Sequence, residues 1–447
     1  MATQTAEFVA PPKSAEQLAR EEWAREFREG VDRSSLDKPL ADADTPLDEI
    51  DPSRPELFSQ DRWQPVFAKL RREDPVHWCR NSVYGSFWSL TTQKPIIHVE
   101  GQPELYSSDW RNGGFTILDS SDDATIAMPM FIGMDRPEHT EQRRTVAPAF
   151  TPSEMVRLSE VVRMRTGEVL DRLPIGEEFD WADTVSIELT TGMLAILFDF
   201  PWEDRRKLTW WSDWMGDIVA ALDPVLGPKR GEIIWEAAAY FQRLWAARKA
   251  SGPAPDLLSI MAHSEAMGGM DERTFLGNII LLIVGGNDTT RNSMSGAAWF
   301  MTQFPDQARK LEARPDLIRN AVQETIRKQT PLSHMRRTAM ADAELFGKRI
   351  KAGDKLVLWY LSANRDESVF ESPDEWIIDR PNARRQLAFG YGIHRCVGAR
   401  LAELQLQTLF EELAARRLRV EVTGEPARVN SNFVHGFKTL PVTLSRY

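Results

Sequence analysis

The chain has 447 residues, of which 42% are hydrophobic and 27% charged, a composition typical of a globular protein with one large core or two domains. The net charge of −11 argues against nucleic acid as the main partner, because neutralising phosphates needs a basic surface. Only Cys79 and Cys396 are cysteines, which excludes a disulfide framework or a Cys-x-x-Cys zinc site and suits a reducing compartment.

The sequence does not predict a membrane or secreted protein. The first residues lack the basic and apolar segments of a signal peptide. The longest apolar run, 279–284, is far too short to span a bilayer. We therefore expect a cytoplasmic protein without a membrane span.

Residues 1–50 form a predicted polar N-terminal extension. Within it, four apolar side chains recur at the i+4 spacing of a short amphipathic helix: Ala15, Ala19, Trp23 and Phe27. The other face mixes Glu with Arg, whereas a membrane-binding helix has a basic face. We therefore expect the helix to dock on the protein's own surface.

Residues 51–447 are predicted to form one mainly α domain with a minor β-sheet portion. Helical periodicity occurs at 63–72, 137–147, 153–173, 183–198, 203–222, 230–249, 272–304, 316–329 and 398–416. Strands are predicted within 76–88, at 96–100, within 345–361 and in the C-terminal tail. Segment 364–388 is predicted to be irregular. Neither an internal repeat nor a clear linker divides the domain.

Residues 101–135 are predicted to be a long apolar loop. They contain many turn formers and eight apolar side chains: Phe115, Ile117, Leu118, Ile126, Met128, Met130, Phe131 and Ile132. A long loop of this composition needs something to cover, such as a ligand.

His139 and Arg143 lie one turn apart on the helix that follows this loop. Together with Arg337 and His394 they could supply cationic donors for a dianionic cofactor such as haem. Each alone is more often a solvated charge, so the prediction depends on the four residues acting together.

The helix at 272–304 contains Gly285 and Gly286 in its middle, followed by Asp288 and Thr289. Two interior glycines cost roughly 2 kcal/mol of helix propensity. The gap they leave indicates either a groove that admits a small molecule or close helix packing. An acid beside an alcohol is suited to relaying protons into a buried site.

Glu324 and Arg327 lie at i and i+3 on the next predicted helix. On a surface, such an ion pair contributes under about 1 kcal/mol. If the pair is buried, it needs further hydrogen-bonding partners, for which Arg380 is a candidate.

Residues 389–398 place Cys396 between a glycine-rich turn and the start of an amphipathic helix. A helix N-terminus lowers the pKa of a thiol and so favours a thiolate ligand. Gly390 and Gly392 would let the backbone pass close to a flat cofactor. Thiolate ligation of haem iron fits this pattern, whereas the alternative is a cysteine packed as a small hydrophobic residue.

These motifs together resemble the cytochrome P450 haem-thiolate monooxygenases, from about residue 63 to the end of the chain. The resemblance rests on five ordered elements: 135–143, 285–289, 324–327, 364–366 with Arg380, and 389–398. It implies the mainly α fold of that family and an axial thiolate ligand at Cys396. It also implies that His139, Arg143, Arg337 and His394 hold the haem propionates. Further roles implied are a structural triad of Glu324, Arg327 and Arg380, and proton delivery by Asp288 and Thr289.

Three stretches near the predicted haem site, 281–294, 330–337 and 392–398, are similar to soluble bacterial alkane and fatty-acid terminal hydroxylases of this family. The resemblance implies terminal hydroxylation of n-alkanes or medium-chain fatty acids. Candidate substrate-pocket residues are Ile117, Leu118, Met128, Leu282, Gly285, Leu332 and Phe433.

Alternatives are a hydroxylase of a terpene or other apolar small molecule, a peroxide-using peroxygenase, and a haem sensor. The expected cofactor is haem b, and the expected substrates are an apolar small molecule and O2. No part of the sequence resembles a flavin or iron–sulfur domain, so we expect electrons from an external ferredoxin and its flavin-dependent ferredoxin reductase. We also expect a monomer. Five arginines lie in or near the elements around the cysteine: Arg144, Arg384, Arg385, Arg395 and Arg400. As a basic patch they could steer an acidic partner, and the alternative is a scattered solvated face.

Overall fold

The computed structural model describes residues 11–119 and 128–447, in which helices predominate. Ile126, predicted to belong to the apolar loop, lies outside these residues. The helices are α1 Ala15–Gly30, α2 Pro55–Ser59, α3 Trp63–Glu73, α4 Gln93–Glu100, α5 Glu138–Val146, α6 Pro152–Leu170, α7 Glu188–Phe198, α8 Arg206–Met215, α9 Ile218–Leu222, α10 Leu226–Ala250, α11 Leu257–Ala262, α12 Glu272–Gln303, α13 Pro305–Ala313, α14 Ile318–Gln329, α15 Tyr360–Ala363 and α16 Ala399–Ala415. Within the described ranges, no helix is both long enough and apolar enough to cross a membrane.

The strands form small sheets at the edge of this helical body. They are β1 Val76–Cys79, β2 Phe87–Leu90, β3 Tyr106–Ser107, β4 Phe179–Asp180, β5 Met335–Ala339, β6 Ala343–Leu345, β7 Lys348–Ile350, β8 Lys355–Leu358, β9 Leu418–Val422, β10 Ala427–Arg428, β11 Phe437–Thr439 and β12 Pro441–Arg446. The largest sheet has the order β1-β2-β8-β5-β3, with β2 and β8 parallel and the other pairs antiparallel. The mainly α prediction is confirmed.

Helix α12 runs through the core and contacts α7, α8, α14 and α16. Its first turn is capped by Asp271, whose carboxylate accepts a hydrogen bond from the Thr274 N–H at 2.8 Å. Its N-terminal half packs into one hydrophobic cluster with α7, α8 and α10, and its C-terminal half into a second cluster with α14 and α16. The middle of α12, where the two glycines lie, is therefore the point at which both halves of the core meet.

The predicted strand at 96–100 is wrong, because these residues belong to α4. Ile96, Val99 and Glu100 are buried at i, i+3 and i+4, which is the spacing of one helix face. The short apolar run could not distinguish the two structures by periodicity alone. The predicted helix at 203–222 is divided into α8 and α9, and β5, which was not predicted, lies within the largest sheet.

The N-terminal helix is confirmed and docks on α10, but through a different face from the one predicted. Ala24 and Arg28 are buried, whereas Ala15, Ala19 and Trp23 are exposed. The Arg28 guanidinium donates to the carbonyl of Ala221 at 3.0 Å. Of the predicted stripe only Phe27 packs against the core, so the docking face is made by Ala24, Phe27 and Arg28.

Candidate functional site

A cavity lies between α12 and the loop that carries Cys396. Its wall contains His139 and Arg143 from α5, Arg337 from β5, and His394 and Cys396 from the loop before α16. The five residues predicted to hold a cofactor therefore border one space, although three separate parts of the chain supply them.

The cysteine loop is shaped by two glycines and one backbone hydrogen bond. Gly390 and Gly392 have φ of +70° and +65°, which side-chain-bearing residues rarely adopt. Gly390 lines the cavity, as expected for close approach to a cofactor. A Cβ on Gly392 would instead overlap the carbonyl of Glu100 at the end of α4. The Cys396 N–H donates to the Phe389 carbonyl at 2.8 Å and closes the turn.

Cys396 lines the cavity and is exposed, while the protein around its thiol removes it from bulk water. Burial raises its pKa, while the N–H groups of Gly398 and Ala399 and the guanidinium groups of Arg143 and Arg395 act in the opposite direction. The helix N-terminus thus acts as the sequence predicted, but burial outweighs it. A cation bound in the cavity would offset this effect of burial and favour the thiolate, which is the chemistry of a metal ligand.

His139 and His394 form an unusual pair at the cavity rim. Their ring centroids are 4.3 Å apart, and all four ring nitrogens are buried without a hydrogen-bond partner among the described residues. The pKa of His139 is lowered to about 4, mainly by burial and also by the charges of nearby arginines including Arg143 and Arg337. The pKa of His394 is lowered for the same reasons. Buried polar atoms without partners are costly in a folded protein.

These unpartnered nitrogens fit an anionic ligand that enters the cavity. Arg143 donates to the Arg395 carbonyl at 2.5 Å, which holds its side chain beside the cysteine loop. A dianionic haem would give the two histidines and the two arginines carboxylate acceptors, and it would raise the pKa of the histidines. The donor set therefore fits haem.

Glu100 is a buried carboxylate in the cavity wall that the sequence did not reveal. Its Oε1 accepts hydrogen bonds from Arg337 at 2.9 Å and from the Tyr360 hydroxyl at 2.6 Å, and its Oε2 accepts from the Tyr391 N–H at 3.0 Å. Glu100 therefore links the cation of β5 to the cysteine loop. The sequence pattern predicted Glu100 to lie at the end of a strand. That prediction gave its carboxylate no hydrogen-bonding partner, so its role was not recognised.

Asp288 and Thr289 lie on different sides of α12. Thr289 lines the cavity, and its hydroxyl donates to the Gly285 carbonyl at 2.7 Å. Asp288 is not in the wall; its Oδ1 accepts from Ser212 at 2.8 Å and pairs with Arg291 at 2.9 Å. Burial raises the pKa of Asp288 to about 6, against the opposing effect of Arg291.

The two glycines of α12 have separate functions. A Cβ on Gly285 would meet nothing within 4 Å, because this residue faces the cavity. A Cβ on Gly286 would lie 2.6 Å from Cδ2 of Leu194 on α7. The groove and the packing explanations are thus both correct, each for one glycine, and α12 stays a continuous α-helix.

Glu324, Arg327 and Arg380 form a fully buried cluster behind the cysteine loop. Arg327 donates to both carboxylate oxygens of Glu324 at 2.7 and 2.9 Å, and Nε of Arg380 donates to the same oxygens at 3.0 Å. Arg327 also donates to the carbonyl groups of Asn364 and Pro373. The cluster therefore joins α14 to the irregular segment and has the partners that a buried ion pair needs.

The rest of the wall is mostly apolar. Six of the seven predicted pocket residues line it: Leu118, Met128, Leu282, Gly285, Leu332 and Phe433. Ile117 does not, because its side chain is fully buried in the neighbouring cluster that includes Phe433. Apolar wall residues that the sequence did not identify include Met193, Leu197, Phe198 and Ile234. In the sequence, the apolar residues of α7 and α10 fit a hydrophobic core as well as a cavity wall, so no sequence signal distinguished the two.

Comparisons with known proteins agree with this site. The family model described as Cytochrome P450 matches residues 242–441. Linalool 8-monooxygenase of Pseudomonas putida is 38% identical over 409 residues, covering 89% of this chain and 99% of that protein. Methyl-branched lipid omega-hydroxylase of Mycobacterium tuberculosis is 33% identical over 424 residues, covering 90% and 97%.

Two solved structures are more similar in sequence. Cytochrome P450-153 from Novosphingobium aromaticivorans is 58% identical with a TM-score of 0.85, and the match covers 88% of this chain and 99% of that chain. CYP153D17 from Sphingomonas sp. PAMC 26605 is 62% identical with a TM-score of 0.84, and the match covers 89% and 99%. The range that the family model matches includes α12, β5 and the cysteine loop.

Proposed function

Since this chain belongs to the cytochrome P450 family of haem-thiolate monooxygenases, we propose that it hydroxylates the terminal carbon of n-alkanes or medium-chain fatty acids. The observation that carries this proposal is the mostly apolar cavity whose wall contains Thr289 and Cys396. A relative named for omega-hydroxylation of a methyl-branched lipid adds support.

In this proposal the cofactor is haem b, with Cys396 as its axial ligand. His139, Arg143, Arg337 and His394 hold the propionates, since their donors already converge on the cavity. Bound haem supplies oxygen activation, which a thiolate ligand promotes by donating electron density to the iron.

Protons for the reaction pass through α12 in two stages. The Thr289 hydroxyl lies in the wall and can donate toward the cavity when it leaves the Gly285 carbonyl. Asp288, with a pKa raised to about 6, can give up and regain a proton near neutral pH. Ser212 and Arg291 hold its carboxylate on the far side of the helix, so delivery requires the side chain to rotate.

Terminal selectivity must come from the wall, because a methyl C–H bond is stronger than the methylene C–H bonds beside it. Only a wall that holds the substrate in one orientation can present its terminal carbon for oxidation in preference to the methylene carbons. Gly285 leaves space at α12, while Leu118, Leu332 and Phe433 bound the cavity from other segments. These side chains are proposed to keep a linear chain extended.

Product analysis tests the proposal. Purified protein with a suitable electron-transfer system is incubated with a series of n-alkanes and medium-chain fatty acids, and the alcohols are identified by gas chromatography. We expect mainly 1-alkanols and ω-hydroxy acids. Mainly subterminal alcohols, or no turnover of any member, would contradict terminal hydroxylation.

A terpene is the second candidate substrate, because the 38% identical relative is named for oxidation of linalool. A branched terpene requires a wider cavity than a linear chain does. Spectral shifts of the ferric haem with linear and terpene ligands distinguish the two. Tight binding of terpenes alone would favour this second function.

Members of this family use O2 and take electrons from redox partners. We propose that the donor here is an external ferredoxin, reduced by a flavin-dependent ferredoxin reductase. Support comes from five exposed arginines around the cysteine loop and on α5 and α16: Arg144, Arg384, Arg385, Arg395 and Arg400. Such a basic face on an acidic protein is suited to an acidic partner. The monomeric state stays a prediction.

A further inference from the structure

Segment 113–119 forms one wall of the cavity without belonging to a helix or a strand. Five of its seven residues line the cavity: Gly113, Gly114, Phe115, Thr116 and Leu118. An irregular segment has no ladder of its own to fix its position. Its side chains can form a defined wall only if other elements hold its backbone.

Arg336 on β5 makes the largest set of contacts to this segment. Its backbone N–H donates to the Phe115 carbonyl at 2.7 Å, and its Nη1 donates to the Leu118 carbonyl at 3.0 Å and to Asp119 at 2.7 Å. The guanidinium also lies directly over Gly113, where a Cβ would overlap it and where φ is +107°. Arg336 is 3% exposed, so these bonds are shielded from water.

Lys355 and His334 hold the same segment at two further points. Nζ of Lys355, on β8, donates to the Ile117 carbonyl at 3.1 Å and to Asp119 at 2.9 Å. Nε2 of His334 accepts from the Ile117 N–H at 3.3 Å, while Nδ1 donates to the Asn432 carbonyl at 3.0 Å. Both side chains are buried. We call His334, Arg336 and Lys355 the β5–β8 clamp.

The position of Arg336 next to Arg337 connects the clamp to the cofactor site. Adjacent residues of a strand point to opposite faces, so Arg336 faces the segment while Arg337 faces the cavity. In β5 they pair with Val357 and Leu356 of β8, respectively. One strand therefore positions both the substrate wall and a cation proposed to hold the haem, which fixes the distance between them.

We propose that Arg336, acting with His334 and Lys355, is a specificity-determining positioning residue that holds segment 113–119 as a rigid wall and thereby selects the substrate carbon that is oxidised. This inference rests on the proposed function, since it assigns the regiochemistry of the same cavity to particular side chains. None of the three clamp residues lines the cavity itself.

The test compares Arg336→Lys with the matched control Arg54→Lys. Arg54 is also a buried arginine, 7% exposed, that donates to two carbonyl groups, those of Ser35 and Lys38, and pairs with a carboxylate, that of Glu56. It does not line the cavity. Asp119→Asn, a change at a half-exposed acid, gives a milder version of the test if Arg336→Lys does not fold.

Two readouts are measured on the haem-loaded protein. Hydrogen exchange of segment 113–119 should become about tenfold faster in Arg336→Lys, because losing one buried charged hydrogen bond changes local opening by at least that factor. The ratio of terminal to subterminal alcohol should fall several-fold, while the absorption of the reduced carbon monoxide complex is unchanged. Asp119→Asn should shift both readouts in the same direction, and Arg54→Lys neither.

Unchanged exchange in segment 113–119, or faster exchange with an unchanged product distribution, would overturn the proposal. An equal product shift in Arg54→Lys would also overturn it, since general loosening would then explain the effect. Failure of the proposed function is distinguishable: wild-type protein would then give mainly subterminal alcohols, and the shift caused by Arg336→Lys would still be measured against that distribution.

Discussion

Adjacent residues of this chain differ sharply in environment. Thr289 borders the cavity, whereas Asp288 is 1% exposed and bonded to Ser212 and Arg291. Arg336 and Arg337 show the same contrast on a strand. The sequence identified Asp288 and Thr289 as a pair and Arg337 without Arg336, and in both cases only the three-dimensional environment separates the roles of the two neighbours.

Replacing Thr289 by Ala removes the one hydroxyl proposed to donate directly into the cavity. We expect the product formed per electron pair to fall by about tenfold or more, with the missing electrons recovered as hydrogen peroxide. Thr290→Ser, a conservative change at the next residue, is the control. Unchanged coupling in Thr289→Ala would rule out the proposed proton delivery.

Asp288 should make stability depend on pH in the acid range. Its pKa is raised from 3.8 to about 6, so its folded form binds a proton more tightly than its unfolded form. Tighter proton binding by folded Asp288 adds about 3 kcal/mol to the free energy of unfolding. This stabilisation is fully present below about pH 4 and is lost as the pH rises through 6. The difference between wild type and Asp288→Asn in urea unfolding should decrease accordingly between pH 4 and 7. A difference independent of pH would contradict this environment for Asp288.

At the scale of elements, long periodic helices were predictable and short apolar runs were not. Helix α12 has enough turns for its period to be read, whereas residues 96–100 fit a strand or a helix equally well. The apolar stripe of α1 was only partly informative, because Phe27 packs against the core while the buried Ala24 and Arg28 lie outside the stripe. Contacts between residues this far apart in sequence leave no local pattern.

The site was predictable where a motif fixed several residue types at once. Cys396, His139 and Arg143 belong to such motifs and meet at the cavity. Glu100 and Lys355 belong to none. His334 and Arg336 lie in the stretch 330–337, but their contacts to segment 113–119 were identified only from the structure. Their partners come from other elements, so neither spacing nor composition indicated them.

The two glycines of α12 give a matched pair of variants. Gly286→Ala should lower the free energy of unfolding by about 1–3 kcal/mol, because the new methyl group would lie 2.6 Å from Cδ2 of Leu194. Gly285→Ala should raise it by up to about 1 kcal/mol through helix propensity. The second variant should weaken substrate binding, because its methyl group enters the cavity. Equal effects of both changes on stability would contradict the separate roles.

Charge is distributed unevenly over the whole molecule. The net charge is −11, yet the surface around the cysteine loop carries exposed arginines. Four of these arginines, Arg384, Arg385, Arg395 and Arg400, lie within 12 residues of the proposed thiolate ligand in sequence. These arginines are proposed to receive the electron donor, and the apolar wall is proposed to receive the substrate.

Reversing two of these charges tests the basic face. In Arg384→Glu/Arg400→Glu, reduction by an acidic ferredoxin at low ionic strength should slow by about tenfold and lose its dependence on salt. Reduction by dithionite should stay unchanged, and Lys229→Glu on α10 serves as the control. Unaltered ferredoxin kinetics in the double variant would reject docking at this face.

The central claim is that Cys396 binds haem iron as a thiolate. Its most direct test is the absorption spectrum of the reduced protein with carbon monoxide, measured for wild type and Cys396→Ser at equal haem content. We predict the thiolate-type absorption in wild type and its complete loss in the variant. A thiolate-type spectrum that persists in Cys396→Ser, or is absent from correctly loaded wild type, would contradict the account.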